Sequence, residues 1–195
     1  MGFWRIVAAS VAVFFLLPTP PGQGRRGQAY IDDVRLSLGP GGEVMLDFRV
    51  KNVLDALVAD TLDSGLPVRF AHLIQLVQPR ELKRDKVLVD LKLVRVLEKD
   101  NLKDRFRVTV ENTEEKRQYG DLREAVEVMT RVEKVVLVSS EVLETRRPLF
   151  LKIKTQLQQF QLPFRLHFLL AFVSYWDVET DWYTLELPAD KEALR

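Results

Sequence analysis

The feature that most constrains this chain is a strict alternation of side chains over residues 43–50. Val44, Leu46, Phe48 and Val50 fall on one face of an extended segment, and Glu43, Met45, Asp47 and Arg49 fall on the other. Successive side chains of a strand point to opposite faces, so this pattern predicts a strand that is buried on one side. Residues 34–38 show the same alternation. The glycines of residues 39–42 (Gly-Pro-Gly-Gly) predict a hairpin loop between the two strands, and no Gly-Lys-Ser/Thr follows that would indicate a phosphate loop.

More strands are predicted along the rest of the chain. A second hairpin pairs residues 87–97 with residues 105–111 across a turn at residues 99–101. Other apolar or alternating runs predict strands at 68–77, 135–142, 149–157 and 183–187. Residues 164–175 are apolar almost throughout, and their periodicity leaves a buried helix and a buried strand both open.

Two short helices are predicted between the strands, because each carries its own start signal. Asn52 is placed to cap the first, and Gly65 followed by Pro67 is placed to end it. Asp121 with Glu124 forms a capping box for the second. We therefore expect a strand-rich α+β fold, either an antiparallel β-sandwich or a strongly bent sheet, with two short covering helices.

The first 29 residues resemble an export signal. A basic start precedes an apolar run over residues 6–17, which is shorter than the roughly 20 residues that span a bilayer. Small residues before Tyr30 predict cleavage after Ala29, while Arg25 and Arg26 favour the alternative of an uncleaved anchor. We expect a signal peptide or anchor at 1–29, a single β-rich domain at 30–188 and a tail at 189–195. The expected location is the periplasm or the outer face of the inner membrane.

Composition argues against several kinds of chemistry. The 29 basic and 28 acidic residues leave a net charge of +1, which removes the electrostatic case for a nucleic-acid partner. The absence of cysteine excludes disulfides, thiolate metal sites and cysteine nucleophiles. His72 and His167 are the only histidines and lie far apart in sequence, so a zinc site is not expected. We assign no catalytic, cofactor-binding or metal-binding residue and expect no enzymatic activity.

The stretch Trp-Asp-Val-Glu-Thr-Asp-Trp at residues 176–182 sets three carboxylates between two tryptophans. If it is extended, Asp177, Glu179 and Asp181 lie on one face, and Trp176, Val178, Thr180 and Trp182 lie on the other. A straight row of carboxylates does not converge on a calcium ion. We therefore interpret the stretch as structural, with the second face turned to the core. The aromatic cluster of interest, for packing or for interaction, is Tyr175, Trp176, Trp182 and Tyr183.

Three segments carry a resemblance to a known family. They are residues 62–70 (LDSGLPVRF), residues 122–125 (LREA) and residues 176–182 (WDVETDW). On these segments the chain resembles a bacterial family of exported domains of unknown function, the type of family 4390, from about residue 30 to residue 187. The resemblance implies an exported or envelope-tethered location and implies no catalytic residues.

The function expected from the sequence is an exported, non-enzymatic domain that binds a protein or another component of the envelope. A sheet edge or the aromatic C-terminal region is expected to make the contact, without nucleic acid and without a cofactor. One alternative is a carrier of a lipid or small apolar ligand, with a pocket lined by Phe164, Phe168, Phe172 and Tyr175. Another is a hydrolase whose site is assembled from distant residues. Partner identity and oligomeric state stay open.

Overall fold

A computed structural model of the protein describes residues 28–53, 55–144, 147–158 and 179–188. Its strands are β1 (Tyr30–Leu38), β2 (Glu43–Lys51), β3 (Val68–Gln78), β4 (Lys86–Asp100), β5 (Arg105–Val110), β6 (Lys116–Tyr119), β7 (Arg131–Ser139), β8 (Phe150–Gln158) and β9 (Tyr183–Glu186). Its helices are α1 (Asp55–Asp63), α2 (Leu122–Thr130) and a 3-10 turn (Ser140–Glu144).

The strands form two antiparallel sheets. Sheet A has the order β1-β2-β7, and sheet B has the order β6-β5-β4-β3-β8-β9. The predicted strand-rich α+β sandwich with two covering helices is confirmed. None of the helices that the structure describes is long and apolar enough to cross a bilayer.

One face of sheet B is covered in two halves. Sheet A covers the first half, where the apolar face of β2 meets Ile74 of β3 and Ile153 of β8. The helices cover the second half, where Leu62 of α1 and Met129 of α2 pack on Phe70 of β3. The two apolar clusters meet along β3, where His72 lies between Phe70 and Ile74.

The predicted glycine turns are confirmed. Gly42 has φ 81 and closes the β1–β2 hairpin, where its N–H donates to the Gly39 carbonyl at 3.0 Å. Gly65 has φ 76 and follows Ser64, the first residue after α1, and Leu66 N–H donates back to the Thr61 carbonyl at 3.1 Å. A residue without Cβ adopts this left-handed conformation at little cost, which explains why the helix ends just before Gly65.

The start of α2 is also confirmed, but the strand after it is longer than predicted. The Asp121 carboxylate accepts from Arg123 N–H at 2.7 Å, as an N-cap does. The expectation of a strand at 135–142 is wrong at both ends, because β7 begins at Arg131 with no loop after the helix and residues 140–142 belong to the 3-10 turn.

A helix cap, a turn and a strand also differ from the sequence-based expectations. Asn52 does not occupy the capping position of α1, because it lies three residues before Asp55 with φ 58, and its side-chain amide donates to the Gln28 carbonyl at 3.1 Å. The second hairpin turns at residues 101–104, since Lys99 and Asp100 still pair in β4. Strand β6 was not predicted, because its four residues are mostly polar and exposed.

Candidate functional site

Register shifts on either side of β2 shape the outer face of sheet A. The β1–β2 register shifts between Asp32 and Arg35, and the β2–β7 register shifts between Val44 and Met45 and again between Leu46 and Phe48. A non-glycine residue is left-handed at the first and the last of these shifts, Asp33 with φ 53 and Lys134 with φ 54. Such a conformation costs about 1 kcal/mol or more per residue and is retained where surrounding contacts hold it.

A hydrogen bond from the backbone anchors one of these bulges. Lys134 N–H donates to the Asp47 carboxylate at 2.6 Å, which satisfies a backbone group that the shifted register leaves unpaired. Bulges re-aim the side chains around them. The outer face of sheet A is therefore a fixed surface and not a regular pleat.

A row of alternating charges crosses this face; we call it the charge row. Its members are Arg35, Asp33, Arg49, Glu127, Arg131 and Glu133. Successive nitrogen–oxygen distances along the row are 2.6, 3.7, 3.9, 2.8 and 3.5 Å. Exposed ion pairs contribute little to stability, typically about 0–1 kcal/mol each. The main consequence of the row is that it sets long side chains of β1, β2, α2 and β7 beside one another with alternating charge.

An open crevice of about 450 Å³ lies beside the charge row, between the end of β2 and α2; we call it the basic crevice. Its charged lining residues are Arg49, Lys51, Arg123, Glu127 and Arg131. Glu127 pairs with both Arg49 and Arg131. Lys51 and Arg123 form no ion pair with any residue that the structure describes. Four cations against one carboxylate give the crevice a positive potential, which attracts anionic groups.

The junction of the two apolar clusters holds a different polar arrangement, centred on His72 of β3. Its ring is fully buried and meets the Phe48 ring edge-to-face, with centroids 5.7 Å apart. Nε2 lies 3.1 Å from the Met129 carbonyl, and Nδ1 lies 2.9 Å from the Thr155 hydroxyl. A carbonyl only accepts, so Nε2 carries the proton and Nδ1 accepts from Thr155.

The environment keeps His72 neutral. Burial and the nearby charge of Arg95 lower the pKa of His72 from its ordinary 6.5 to about 3, and the hydrogen bond to the Met129 carbonyl opposes this shift only in part. Arg95 itself donates to the carbonyls of Val128, at 2.5 Å, and of Arg131, where α2 ends. Burial lowers the pKa of the Arg95 guanidinium. A cation at a helix C-terminus stabilises the last carbonyls, so Arg95 fixes the passage from α2 into β7.

The polar contacts continue from His72 to the C-terminal region. Thr155 N–H donates to the Thr180 hydroxyl at 3.0 Å, and Thr180 N–H donates to the Thr155 carbonyl at 2.9 Å. His72, Thr155 and Thr180 are all at most 2% exposed, and we call them the buried polar chain. It joins the end of α2, the centre of sheet B and the segment before β9.

Glu179 holds the same segment from its outer side. Its carboxylate lies 2.9 Å from Lys154 Nζ and accepts from Gln156 Nε2 at 3.1 Å. The hydrogen bonds from Lys154 and Gln156 hold the pKa of Glu179 below its usual value. This carboxylate is therefore engaged in docking the segment on β8.

The expectation that Thr180 and Trp182 share a buried face is wrong. Thr180 is buried, but Trp182 is 44% exposed, with its ring centroid 6.0 Å from Lys154 Nζ. The reason is an extra residue: Gln156 bridges Glu179 and Ile153 pairs with Tyr183, so four steps on one strand oppose three on the other. A bulge at residues 181–182 thus turns Trp182 to the side of the sheet opposite the core.

The other residues singled out from the sequence are placed as follows. Tyr183 is half-buried against the first apolar cluster. Tyr175 and Trp176 lie outside the described residues, as do His167 and the expected carrier pocket of Phe164, Phe168, Phe172 and Tyr175. Within the described ranges, no three histidine or carboxylate side chains are placed to hold a metal ion.

The charge row and the basic crevice were not predicted from the sequence. Their charges are dispersed over residues 33 to 133 and look like ordinary solvent-facing positions of strands and a helix. The bulges that arrange them carry no glycine or proline. The only local signal is that aspartate is one of the few non-glycine residues enriched in the left-handed region, which fits Asp33.

The fold and this site define the class of protein: a two-sheet α+β sandwich with a bulged, charged outer face and a buried, hydrogen-bonded row of His72, Thr155 and Thr180. The model of a family described as a domain of unknown function, DUF4390, matches residues 27–186, and the chain belongs to that family. The family resemblance seen in the sequence is thereby confirmed. No curated protein and no solved structure matches the chain.

Proposed function

We propose that this protein is an exported, non-enzymatic binding domain that docks a protein of the cell envelope through the basic crevice. The observation that carries the proposal is the pair Lys51 and Arg123, two cations without an ion-pair partner among the described residues, in a crevice whose other cations are already paired. Such cations are free to receive carboxylates from a partner without breaking an existing ion pair.

The walls of the crevice support a docking role because they are formed before any partner arrives. Arg49 and Arg131 both pair with Glu127, and the Lys134 N–H at the bulge donates to the Asp47 carboxylate. A partner that binds a preformed surface loses less conformational entropy than one that must order long side chains. The expected partner segment is acidic.

The state of His72 supports a non-enzymatic role. The imidazole is buried, both ring nitrogens are bonded, and its pKa of about 3 keeps it neutral near pH 7. General acid–base catalysis needs a group with a pKa near the working pH and within reach of substrate. His72 meets neither condition.

Export is supported by the sequence of the first 29 residues, where a basic start precedes a short apolar run. The expected mature chain begins near Tyr30. Mass measurement of the protein recovered from the periplasm tests this, and recovery of the full-length chain from the cytosol contradicts it.

The docking proposal is tested by placing a photo-crosslinking amino acid at Glu124, an exposed residue of α2 beside Arg123. The expected result in living cells is one major adduct with an envelope protein. The same amino acid at Leu82, which is 96% exposed in the β3–β4 loop, is the positional control and is expected to give no such adduct.

The charge dependence of that adduct decides between docking and chance proximity. Lys51→Gln with Arg123→Gln is expected to abolish the adduct. Lys83→Gln with Arg84→Gln removes the same charge from the exposed β3–β4 loop and is expected to leave it intact. An adduct that survives the first double variant, or that forms equally from Leu82, contradicts the proposal.

A further inference from the structure

Half of the long strand β4 has a free edge. β4 runs for 15 residues, yet β5 pairs only with its last part, from Arg95 to Asp100. The final bond on this side runs from Glu111 N–H to the Val94 carbonyl at 2.8 Å. Residues 86–93 pair with β3 on one side, and no strand in the described part of the chain pairs with them on the other.

The direction of the backbone groups on this edge follows from that last bond. The N–H and C=O of one residue in an antiparallel strand point to the same side, and the side alternates along the strand. Because the Val94 carbonyl points towards β5, Lys92 and Asp90 present their N–H and C=O groups on the free edge. Unpaired edge groups of this kind are a template for another strand.

The side chains along the edge are apolar on one face and charged on the other. Val89, Leu91 and Leu93 are half-buried and pack at the rim of the apolar cluster between the sheets. Asp90 and Lys92 are exposed on the opposite face, and neither forms an ion pair among the described residues. Among the described residues, Asp90 accepts a single side-chain hydrogen bond, from Gln75 Nε2 at 3.2 Å.

We propose that the occupant of this edge is a second copy of the chain, paired antiparallel with β4 about a two-fold axis at Leu91. In this register Asp90 lies opposite Lys92 of the second copy, and Lys92 lies opposite Asp90 of the second copy. Both pairs use residues whose backbone groups face the free edge. The register that forms the backbone hydrogen bonds therefore also sets opposite charges against each other. Sheet B thus continues through the axis into its copy.

Other registers fail on charge or on backbone direction. An axis at Asp90 or at Lys92 sets like charges opposite each other, which is destabilising. An axis at Leu93 sets Lys92 opposite Val94, whose carbonyl already accepts from Glu111. An axis at Val89 sets Lys92 opposite Lys86. Within residues 89–93, only an axis at Leu91 makes the edge complementary to itself.

A register shift limits the length of the pairing. β3 and β4 slip between Leu76 and Val77, where Leu88 is the extra residue. The regular part of the free edge therefore covers residues 89–93. Within it, Leu91 meets Leu91 of the second copy, and Val89 meets Leu93. The half-exposed rim of the apolar cluster becomes buried, which adds a hydrophobic contribution to the ladder.

Charge exchange in the full-length chain tests the proposal, with sedimentation velocity as the readout. Wild type is expected to be dimeric, and Asp90→Lys alone and Lys92→Asp alone are each expected to be monomeric. An equimolar mixture of the two single variants is expected to regain the dimer, because each charge then meets its opposite. A monomeric wild type, an Asp90→Lys variant that stays dimeric, or a mixture that stays monomeric overturns the proposal.

A cysteine at the axis gives a second, independent readout, since the natural chain has none. Directly opposed residues at a non-hydrogen-bonded position have Cα atoms about 4.5 Å apart, within the range a disulfide spans. Leu91→Cys is expected to give a covalent dimer on mild oxidation. Leu82→Cys, fully exposed in the nearby loop, is the matched control and is expected to give little. Equal yields from both positions contradict an axis at Leu91.

Discussion

The buried polar chain and the basic crevice treat their polar groups in opposite ways. In the buried polar chain, both ring nitrogens of His72 are hydrogen-bonded. Thr155 N–H donates to the Thr180 hydroxyl, and Thr180 N–H donates to the Thr155 carbonyl. In the crevice, Lys51 and Arg123 have no ion-pair partner in the described part of the protein. Buried polar groups are costly unless satisfied, whereas solvated charges are not. The interior polar groups therefore hold the fold, and the crevice is available to a partner.

The largest expected effect comes from truncating the centre of the buried polar chain. His72→Ala removes a fully buried ring, empties a contact with Phe48 and leaves the Met129 carbonyl and the Thr155 hydroxyl without their partner. A loss of about 3–5 kcal/mol in the free energy of unfolding is expected. Urea denaturation measures it, with Leu82→Ala, at a 96% exposed site, as a control expected to change nothing. A loss below about 1 kcal/mol contradicts the structural role of His72.

A smaller effect is expected from pH. The folded protein keeps His72 neutral down to a pKa of about 3, while an unfolded histidine takes up a proton near its ordinary 6.5. Between these values the unfolded chain binds more protons, so stability falls as the pH is lowered through this window. From pH 7 to pH 5 the contribution of His72 falls by about 2 kcal/mol.

The comparison with a variant isolates this contribution. His72→Gln keeps hydrogen-bonding groups at the site and leaves His167 in place, so the difference in slope between the two proteins belongs to residue 72. Urea denaturation at pH 7, 6 and 5 is expected to show a flatter dependence for the variant. Parallel pH dependences mean that His72 is not held neutral.

Thr180 and Trp182 lie in the segment before β9, and we expect the smaller residue to contribute more to the free energy of unfolding. Thr180→Val keeps the volume but removes the acceptor of the Thr155 N–H, which costs about 2 kcal/mol. Trp182→Ala is expected to cost about 1 kcal/mol, because the ring is 44% exposed and lies over Lys154. Thermal unfolding of the two variants compares them. A clearly larger loss from Trp182→Ala puts the tryptophan back in the core.

Thr180 and Trp182 show which feature of the fold the sequence pattern does not reveal, the position of a β-bulge. Period-two alternation predicts a strand correctly wherever the strand is regular, as in β2, and glycine marks the turns at Gly42 and Gly65. One extra residue at a bulge reverses the faces beyond it without changing local composition. For that reason the sequence predicted Trp182 to face the core, although the structure turns it outward.

The candidate site was beyond sequence reasoning for a related reason. The basic crevice depends on the direct passage from α2 into β7 and on the register of β2, both of which are tertiary features. His72 was recognised only as an improbable zinc ligand. Its partners Thr155 and Met129 lie 83 and 57 residues away in sequence, so no local pattern links them.

Substitutions in the basic crevice are expected to have the smallest effect on stability. They also test the proposed docking of an envelope protein most directly. Lys51→Gln with Arg123→Gln, compared with Lys83→Gln and Arg84→Gln, is measured both by urea denaturation and by the yield of the envelope-protein adduct from position 124. We expect a change in the free energy of unfolding within about 0.5 kcal/mol for both double variants, and loss of the adduct in the first only. A full yield of adduct from the crevice variant, with its fold intact, means that the partner does not dock through the basic crevice.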